Sequence, residues 1–418
     1  MTQQIKRIGF ISTRIAGTDG VSLELEKWAD ILRRNSLECF YFAGQLDRPS
    51  DVSYLVEEAH FEHPDIKQIN NNCLGQRNRS TETSDLIDKI SNHLKQKIYK
   101  FVEEYDIDLI IPQNALTIPM NIPLGLAITE FIAETNFPTI AHHHDFFWER
   151  DRFLINSVGD YLQKAFPPNL PSIRHVVINS PASEELSFRR GVSNVIIPNI
   201  FDFDSPPSGL ANQSEKIRQY AGLEEGDPFI LQPTRVVPRK WIERAIEIVH
   251  LLQLNKPKLI ISHASGDEGD EYFESIKDYS KLLNVEIVSI DHIIDQEKSA
   301  STNAPVISKL GDAYKVADFV TYPSGYEGFG NAFLEAVYFR KPIVVNRYKI
   351  FIADIEPRGF DVVSFDGVVT KKTVSEIKEI LDNTDRREQV VEKNYGVAKK
   401  YFSYGAVEDK LLQLIKTF

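Results

Sequence analysis

Two hydrophobic periods alternate along this chain. Short, nearly unbroken apolar runs are separated by longer stretches in which apolar residues return every third or fourth position. That is the pattern of buried strands joined by amphipathic helices. Arg7–Ser12 predicts a buried strand, then the turn Gly17-Thr18-Asp19-Gly20, then a helix over Ser22–Asn35 with Leu23, Trp28, Ile31 and Leu32 on one face. Glu38–Ala43 predicts a second strand and Leu86–Tyr105 a long amphipathic helix; Asp51–Thr83, between them, is polar and predicts the least regular part of this half. Asp108–Pro112 predicts a strand with a polar, proline-marked exit (Gln113–Pro123), Leu124–Thr135 a helix, and Thr139–His142 and His175–Asn179 two further strands.

The alternation breaks at the turn-rich stretch Pro198–Pro207 and restarts with a strand at Phe229–Val236 and a helix at Trp241–Leu254. It continues through strands at Lys258–Ser262, Val285–Ile290, Phe319–Tyr322 and Pro342–Asn346, with helices at Glu271–Leu283, Gly311–Ala317 and Gly330–Tyr338. The tail Arg386–Thr417 predicts helix. Strand–helix–strand alternation implies parallel sheets with helices on both faces. The expected organisation is a Rossmann-like domain over 1–204, a second over 205–395, and a helix within 396–418 that packs back on the first. Ligands of such folds sit outside the carboxyl ends of the strands.

Composition narrows the function. The 418 residues exceed one ordinary core. Acids outnumber bases by 60 to 48, a formal charge of −12, which argues against a general nucleic-acid binder. The two cysteines, Cys39 and Cys73, cannot build a disulfide framework or a cysteine-rich zinc site. The apolar run Ile8–Ile11 is too short for a signal peptide, and the most apolar long stretch, Ile122–Ala141, is interrupted by Glu130 and Glu134. A cytoplasmic enzyme without stable membrane insertion is the expectation, with its oligomeric state left open.

Five segments carry candidate chemistry. In Ser324–Ala336 a strand gives way to a glycine-rich loop and a helix, so Gly328, Phe329 and Gly330 bring backbone amides to a ligand. Glu327 and Glu335 there can accept hydrogen bonds from vicinal hydroxyls, as in sugar or ribose recognition. Arg235, at a strand end, and Lys240, at the next helix start, can converge on a diphosphate. His142-His143-His144-Asp145 follows a strand; alternation lets at most two of these histidines address one site. A hydroxyl-binding histidine is the favoured reading there, and no metal site is assigned. The Gly17–Gly20 turn lacks the dinucleotide fingerprint, and the acidic run Ser265–Glu271 reads as a solvated helix entry.

Taken together, Arg235 with Lys240, Glu327 with Glu335, and Pro342 opening the next strand resemble the donor half of retaining GT-B glycosyltransferases of family 4. Ala317-Asp318, Tyr322-Pro323-Ser324, Ile197-Pro198-Asn199 and Asp202 fit the same pattern, and the resemblance spans essentially the whole chain. It implies two Rossmann-like domains facing a cleft. It assigns Arg235 and Lys240 to the donor diphosphate, Glu335 to the ribose, Glu327 to the transferred sugar, His144 to the donor sugar, and Gly17, Thr18, Asp19 and Gly20 to the phosphates. Trp241 and Arg340 depart from it, standing at or near positions where the family has glycine.

More narrowly, Ile8–Ser12 with Gly17–Glu24, Asn114–Pro123 and His142–Arg150 are similar to the mannosylglucosylglycerate synthases. That similarity implies mannose transfer from GDP-mannose to glucosylglycerate, with Asn114, His142, Arg150 and Arg152 as candidate acceptor contacts. It implies no cofactor beyond the nucleotide sugar and no essential Mg2+. The alternatives are another donor and acceptor (UDP- or GDP-glucose) or a sugar-nucleotide epimerase of the same shape.

Overall fold

The computed structural model describes residues 5–17, 19–207, 214–263, 271–294 and 310–418. Thr18 and all of the acidic run up to Asp270 lie outside the described residues. The first half contains β1 (Arg7–Ile11), α1 (Gly20–Arg34), β2 (Glu38–Ala43), β3 (Ser53–Leu55), α2 (Pro64–Cys73), α3 (Thr81–Glu104) and β4 (Leu109–Pro112). It continues with α4 (Ile122–Thr135), β5 (Thr139–His143), α5 (Gly159–Ala165), β6 (Ile173–Val177), α6 (Ser180–Arg190) and β7 (Asn194–Ile196). These strands form one parallel sheet in the order β3-β2-β1-β4-β5-β6-β7.

The second half contains α7 (Ser214–Tyr220), β8 (Ile230–Gln232), α8 (Ile242–Leu251), β9 (Lys258–Ile261), α9 (Glu271–Leu282), β10 (Glu286–Ser289), α10 (Asp291–Ile294) and α11 (Leu310–Val316). Then come β11 (Phe319–Tyr322), α12 (Asn331–Tyr338), β12 (Ile343–Asn346), β13 (Val363–Phe365), α13 (Lys371–Asp382), α14 (Thr384–Phe402) and α15 (Tyr404–Ile415). Their parallel sheet runs β10-β9-β8-β11-β12-β13. Both sheets start in the middle, wind outward to one edge, and restart beside the first strand. Strand order therefore reverses between β1 and β4 and again between β8 and β11, the places where such sheets bind ligands.

The chain divides into two compact units: residues up to Ile200 with Val407–Phe418, and Phe201–Ala406. α15 thus starts in the second unit and continues as part of the first, where Val407, Leu411, Leu414 and Ile415 are buried and Asn35 Nδ2 donates to Glu408 Oε1 at 2.6 Å. The last peptide of the first unit's long segment is fastened to α1. Ile200 N–H donates to the fully buried Glu24 carboxylate at 3.2 Å, and Lys27 Nζ donates to Ile200 O at 2.6 Å. No helix among the described residues is long and apolar enough to cross a membrane.

Three expectations need correction. Leu23 is exposed, and Leu25 takes its place beside Trp28, Ile31 and Leu32. Leu23 and Trp28 are five positions apart, which turns roughly 140° around a helix. Asp51–Thr83 holds an edge strand, β3, and a helix, α2, which opens on Pro64 and buries Ile66, Ile69 and Cys73; a three-residue edge strand is too short to show a period. The strand predicted to Val236 ends at Gln232, because Pro233 has no N–H for the ladder. Its early end frees Thr234–Lys240 as a loop over the strand reversal.

Candidate functional site

In the second unit, the β8 and β11 exits meet through buried polar groups. Thr321 Oγ1 donates to Gln232 Oε1 and Gln232 Nε2 donates to Thr234 Oγ1, both at 2.7 Å. Beyond them Pro238–Lys240 form a 3-10 turn, which aims Lys240 inward. Its buried ammonium pairs with Glu327 Oε1. Arg239 Nη1 reaches Glu327 Oε2 at 3.2 Å, and Gly325 N–H donates to Arg239 O at 2.9 Å. The loop after β8 and the loop after β11 are thereby locked together by one carboxylate and two cations. Tyr322 lies beneath, its ring centroid 5.7 Å from Lys240 Nζ.

The electrostatics follow from burial and pairing. Burial alone would raise the Glu327 pKa; the charges of Lys240 and Arg239 outweigh it and hold this carboxyl below its ordinary range. Burial pulls the Lys240 pKa down; Glu327 opposes this, and the nearby Arg239 and Arg235 reinforce it. The result is a buried cluster of one carboxylate and two cations with a net positive charge, and Arg235 adds a further positive charge nearby.

The remaining predicted residues of this unit divide. Arg235 is exposed at the β8 exit and has no hydrogen bond or ion pair among the described residues. Glu335, half-buried on α12, accepts a hydrogen bond from Tyr314 OH at 2.8 Å. Gly328 is half-buried, whereas Phe329 is buried and packs edge-on against Phe402. Gly330 has φ +135° and makes no side-chain cap at α12; a Cβ there would lie 2.3 Å from the Tyr348 hydroxyl. The pairing of Arg239 was missed from sequence; its only signal is adjacency to Lys240. His263, at the end of β9, was also missed. Burial lowers its pKa, and Arg235 and Lys240 lower it further.

Trp241 and Arg340 both have left-handed backbones, φ +49° and +51°. That conformation explains why the family resemblance places glycine there. The indole of Trp241 occupies the space over Gly325, where an added Cβ would lie 2.4 Å from the ring. Gly325→Ala is therefore expected to cost about 2 kcal/mol, read as a lowered urea midpoint. An unchanged midpoint would mean that the indole moves aside freely.

In the first unit, the corresponding reversal between β1 and β4 is lined by the histidine row. His142 Nδ1 donates to Gln113 Oε1 and Gln113 Nε2 donates to His144 Nε2, both at 3.0 Å. Both rings thus carry their proton on Nδ1. His142 is buried and stacks on Trp28 at 4.0 Å. His143 faces the other way, toward Thr117 Oγ1 at 2.6 Å and His175 Nδ1 at 3.0 Å. Burial lowers the pKa of all four histidines, His144 and His175 to about 4. Among the described residues, no group of three or more His, Cys, Asp or Glu side chains is placed to hold a metal.

Asn114, with φ +57°, is buried. Its Oδ1 accepts from His144 N–H at 3.2 Å and its Nδ2 donates to Asp145 Oδ1 at 3.3 Å, so it positions the His144–Asp145 segment. Arg150 Nε donates to Asp145 Oδ2 at 2.5 Å, and Arg152 Nη2 lies 2.8 Å from Met120 Sδ. In the glycine turn, Gly17 N–H is occupied by Asp47 Oδ2 at 2.7 Å. Asp19 caps α1, accepting from Val21 N–H at 3.1 Å and Ser22 Oγ at 2.5 Å, and Gly20 opens the helix. Gln113, Thr117 and His175 are the members of this network that sequence reading did not single out as site residues.

Residues 302–397 match the family described as Glycosyl transferases group 1. The chain is 32% identical to the mannosylglucosylglycerate synthase of Thermotoga maritima over 97% of its own length and 98% of that protein's. It is 33% identical to the enzyme of the same name from Petrotoga mobilis, over 85% and 86%. Among solved structures, a glycosyltransferase from Rickettsia africae superposes with a TM-score of 0.68 at 14% identity, covering 99% of this chain and 98% of that one.

Proposed function

The chain belongs to the mannosylglucosylglycerate synthase family, a glycosyltransferase family of the two-Rossmann GT-B fold, and from that premise we propose that it transfers mannose from GDP-mannose to glucosylglycerate with retention of the anomeric configuration. The observation that carries the reading is the buried Lys240–Glu327–Arg239 cluster at the β8/β11 reversal. A bound donor brings its diphosphate to Lys240 and Arg235, and Glu327 then turns to the hydroxyls of the transferred sugar. Glu335, already oriented by Tyr314, takes the ribose. His144, neutral and carrying its proton on Nδ1, donates to a sugar hydroxyl.

In the proposed step the C1–O bond to the β-phosphate breaks as an acceptor hydroxyl oxygen bonds to C1 from the same face. The hydroxyl proton passes to the departing phosphate, and GDP leaves. The developing negative charge on that phosphate is met by Lys240 and Arg235, already in place before the reaction. On this reading the reaction needs no metal and no cofactor besides the nucleotide sugar, and it runs in the cytoplasm.

The test is a donor screen on the purified protein, following nucleoside diphosphate release with and without glucosylglycerate. The expected result is acceptor-dependent release from GDP-mannose and an α-linked product by NMR. A preference for another donor, or acceptor-independent conversion of the nucleotide sugar, would remove the substrate assignment.

A further inference from the structure

A glucosylglycerate acceptor carries a carboxylate, and the first unit offers several cations near its strand reversal. Most are already committed. Lys27 is held by Glu24 and Ile200 O, Arg48 by Glu26 and Asp47, and Arg150 by Asp145. Arg14 differs. It follows β1 directly, and 36% of its side chain is exposed. Among the described residues its one carboxylate contact is Asp19 Oδ2 at 3.4 Å, an aspartate already engaged in capping α1.

The guanidinium lies over the Phe61 ring, 5.4 Å from the centroid. A cation–π contact of this kind holds an arginine in place without using its N–H groups. Phe61 in turn stacks on His60 at 4.4 Å. His60 Nδ1 accepts from Glu62 N–H at 3.1 Å, so the neutral ring carries its proton on Nε2, a donor with no acceptor among the described residues. Other charges beside the stack are Glu62 and Lys67, which pair with each other. Asp19, the ion-pair partner of Arg14, also acts electrostatically on His144, which places the Arg14–Asp19 pair within electrostatic reach of that ring.

We propose that Arg14, lying over the Phe61 ring, binds the carboxylate of the acceptor. The proposal rests on the glucosylglycerate reading and adds the residue that distinguishes this acid from its neutral analogue, glucosylglycerol. The experiment is acceptor kinetics of wild type, Arg14→Gln and Arg14→Lys on both compounds, with thermal unfolding of each variant. Wild type is expected to prefer the acid. Arg14→Gln is expected to raise KM for glucosylglycerate about tenfold or more, leave KM for the donor and for glucosylglycerol unchanged, and abolish the preference. Arg14→Lys is expected to recover part of it. An unchanged KM for glucosylglycerate in a folded Arg14→Gln protein overturns the proposal while leaving the substrate reading intact. If wild type does not use glucosylglycerate, the substrate reading fails and this inference falls with it.

Discussion

Lys240→Ala is expected to lower transfer about a thousandfold, the scale found when a placed charge-stabilising donor is removed from an active site. It is also expected to lower stability. Lys240 is buried and paired with Glu327, and removing one partner of such a pair costs about 3 kcal/mol. The two effects are separable. Lys240→Met combined with Glu327→Leu removes both charges and is expected to recover most of the stability while remaining inactive. Arg235→Ala supplies the contrast, because that side chain is exposed and unpartnered among the described residues. Its urea midpoint is expected to match wild type while turnover falls by about tenfold or more. Turnover close to wild type in Lys240→Ala would remove the cluster from the mechanism.

Acid is expected to unfold the first unit before the second. His142, His143, His144 and His175 are buried and neutral, with pKa values held down by burial, the last two at about 4. In the unfolded chain each returns to about 6.5. Below that pH the unfolded state takes up protons that the folded state refuses, so stability falls as pH drops from about 6.5 toward 4. A ring shifted this far contributes on the order of 3 kcal/mol. Among the described histidines of the second unit, His263 is the one whose pKa is lowered. The stabilising contribution of Glu327, whose pKa is lowered, is present above the ordinary carboxylate value and is lost only below it. Of the three tryptophans, Trp28 stacks on His142 and Trp148 shares its unit, whereas Trp241 reports the second unit. Denaturant unfolding of single-tryptophan variants between pH 7.5 and 5 is expected to show the Trp28 transition moving down ahead of that of Trp241. A Trp28 transition independent of pH would mean that the buried rings accept protons without penalty.

What was legible in sequence was whatever is encoded locally. Period and run length located most of the strands and helices, and strand alternation separated His143 from His142 and His144. The loop after β11 was recognisable because glycines bracket Glu327. What was hidden depends on contacts distant in sequence. Apart from its adjacency to Lys240, nothing near Arg239 announces that the two share a carboxylate across the strand reversal. Asn114 resembles an exposed polar loop residue until its left-handed backbone and two hydrogen bonds to the His144–Asp145 segment are seen. The departures at Trp241 and Arg340 also gain a physical meaning. Each occupies a backbone conformation suited to glycine. Arg340 is held there by the Tyr395 ring, 3.7 Å from its guanidinium carbon, and by Glu392 at 2.6 Å.

The return of α15 to the first unit has a consequence for biosynthesis. That unit is discontinuous, since Val407–Phe418 completes a body whose other residues end at Ile200. On the ribosome, the surface that receives Val407, Leu411 and Leu414 stays uncovered until residues 201–406 have been made. The second unit, a single continuous segment, has no such wait. Vectorial synthesis therefore favours a late docking event in which a helix threaded out of an already formed unit seals an earlier one. A circular permutant with residues 407–418 placed before β1 would let the first unit close as it is translated.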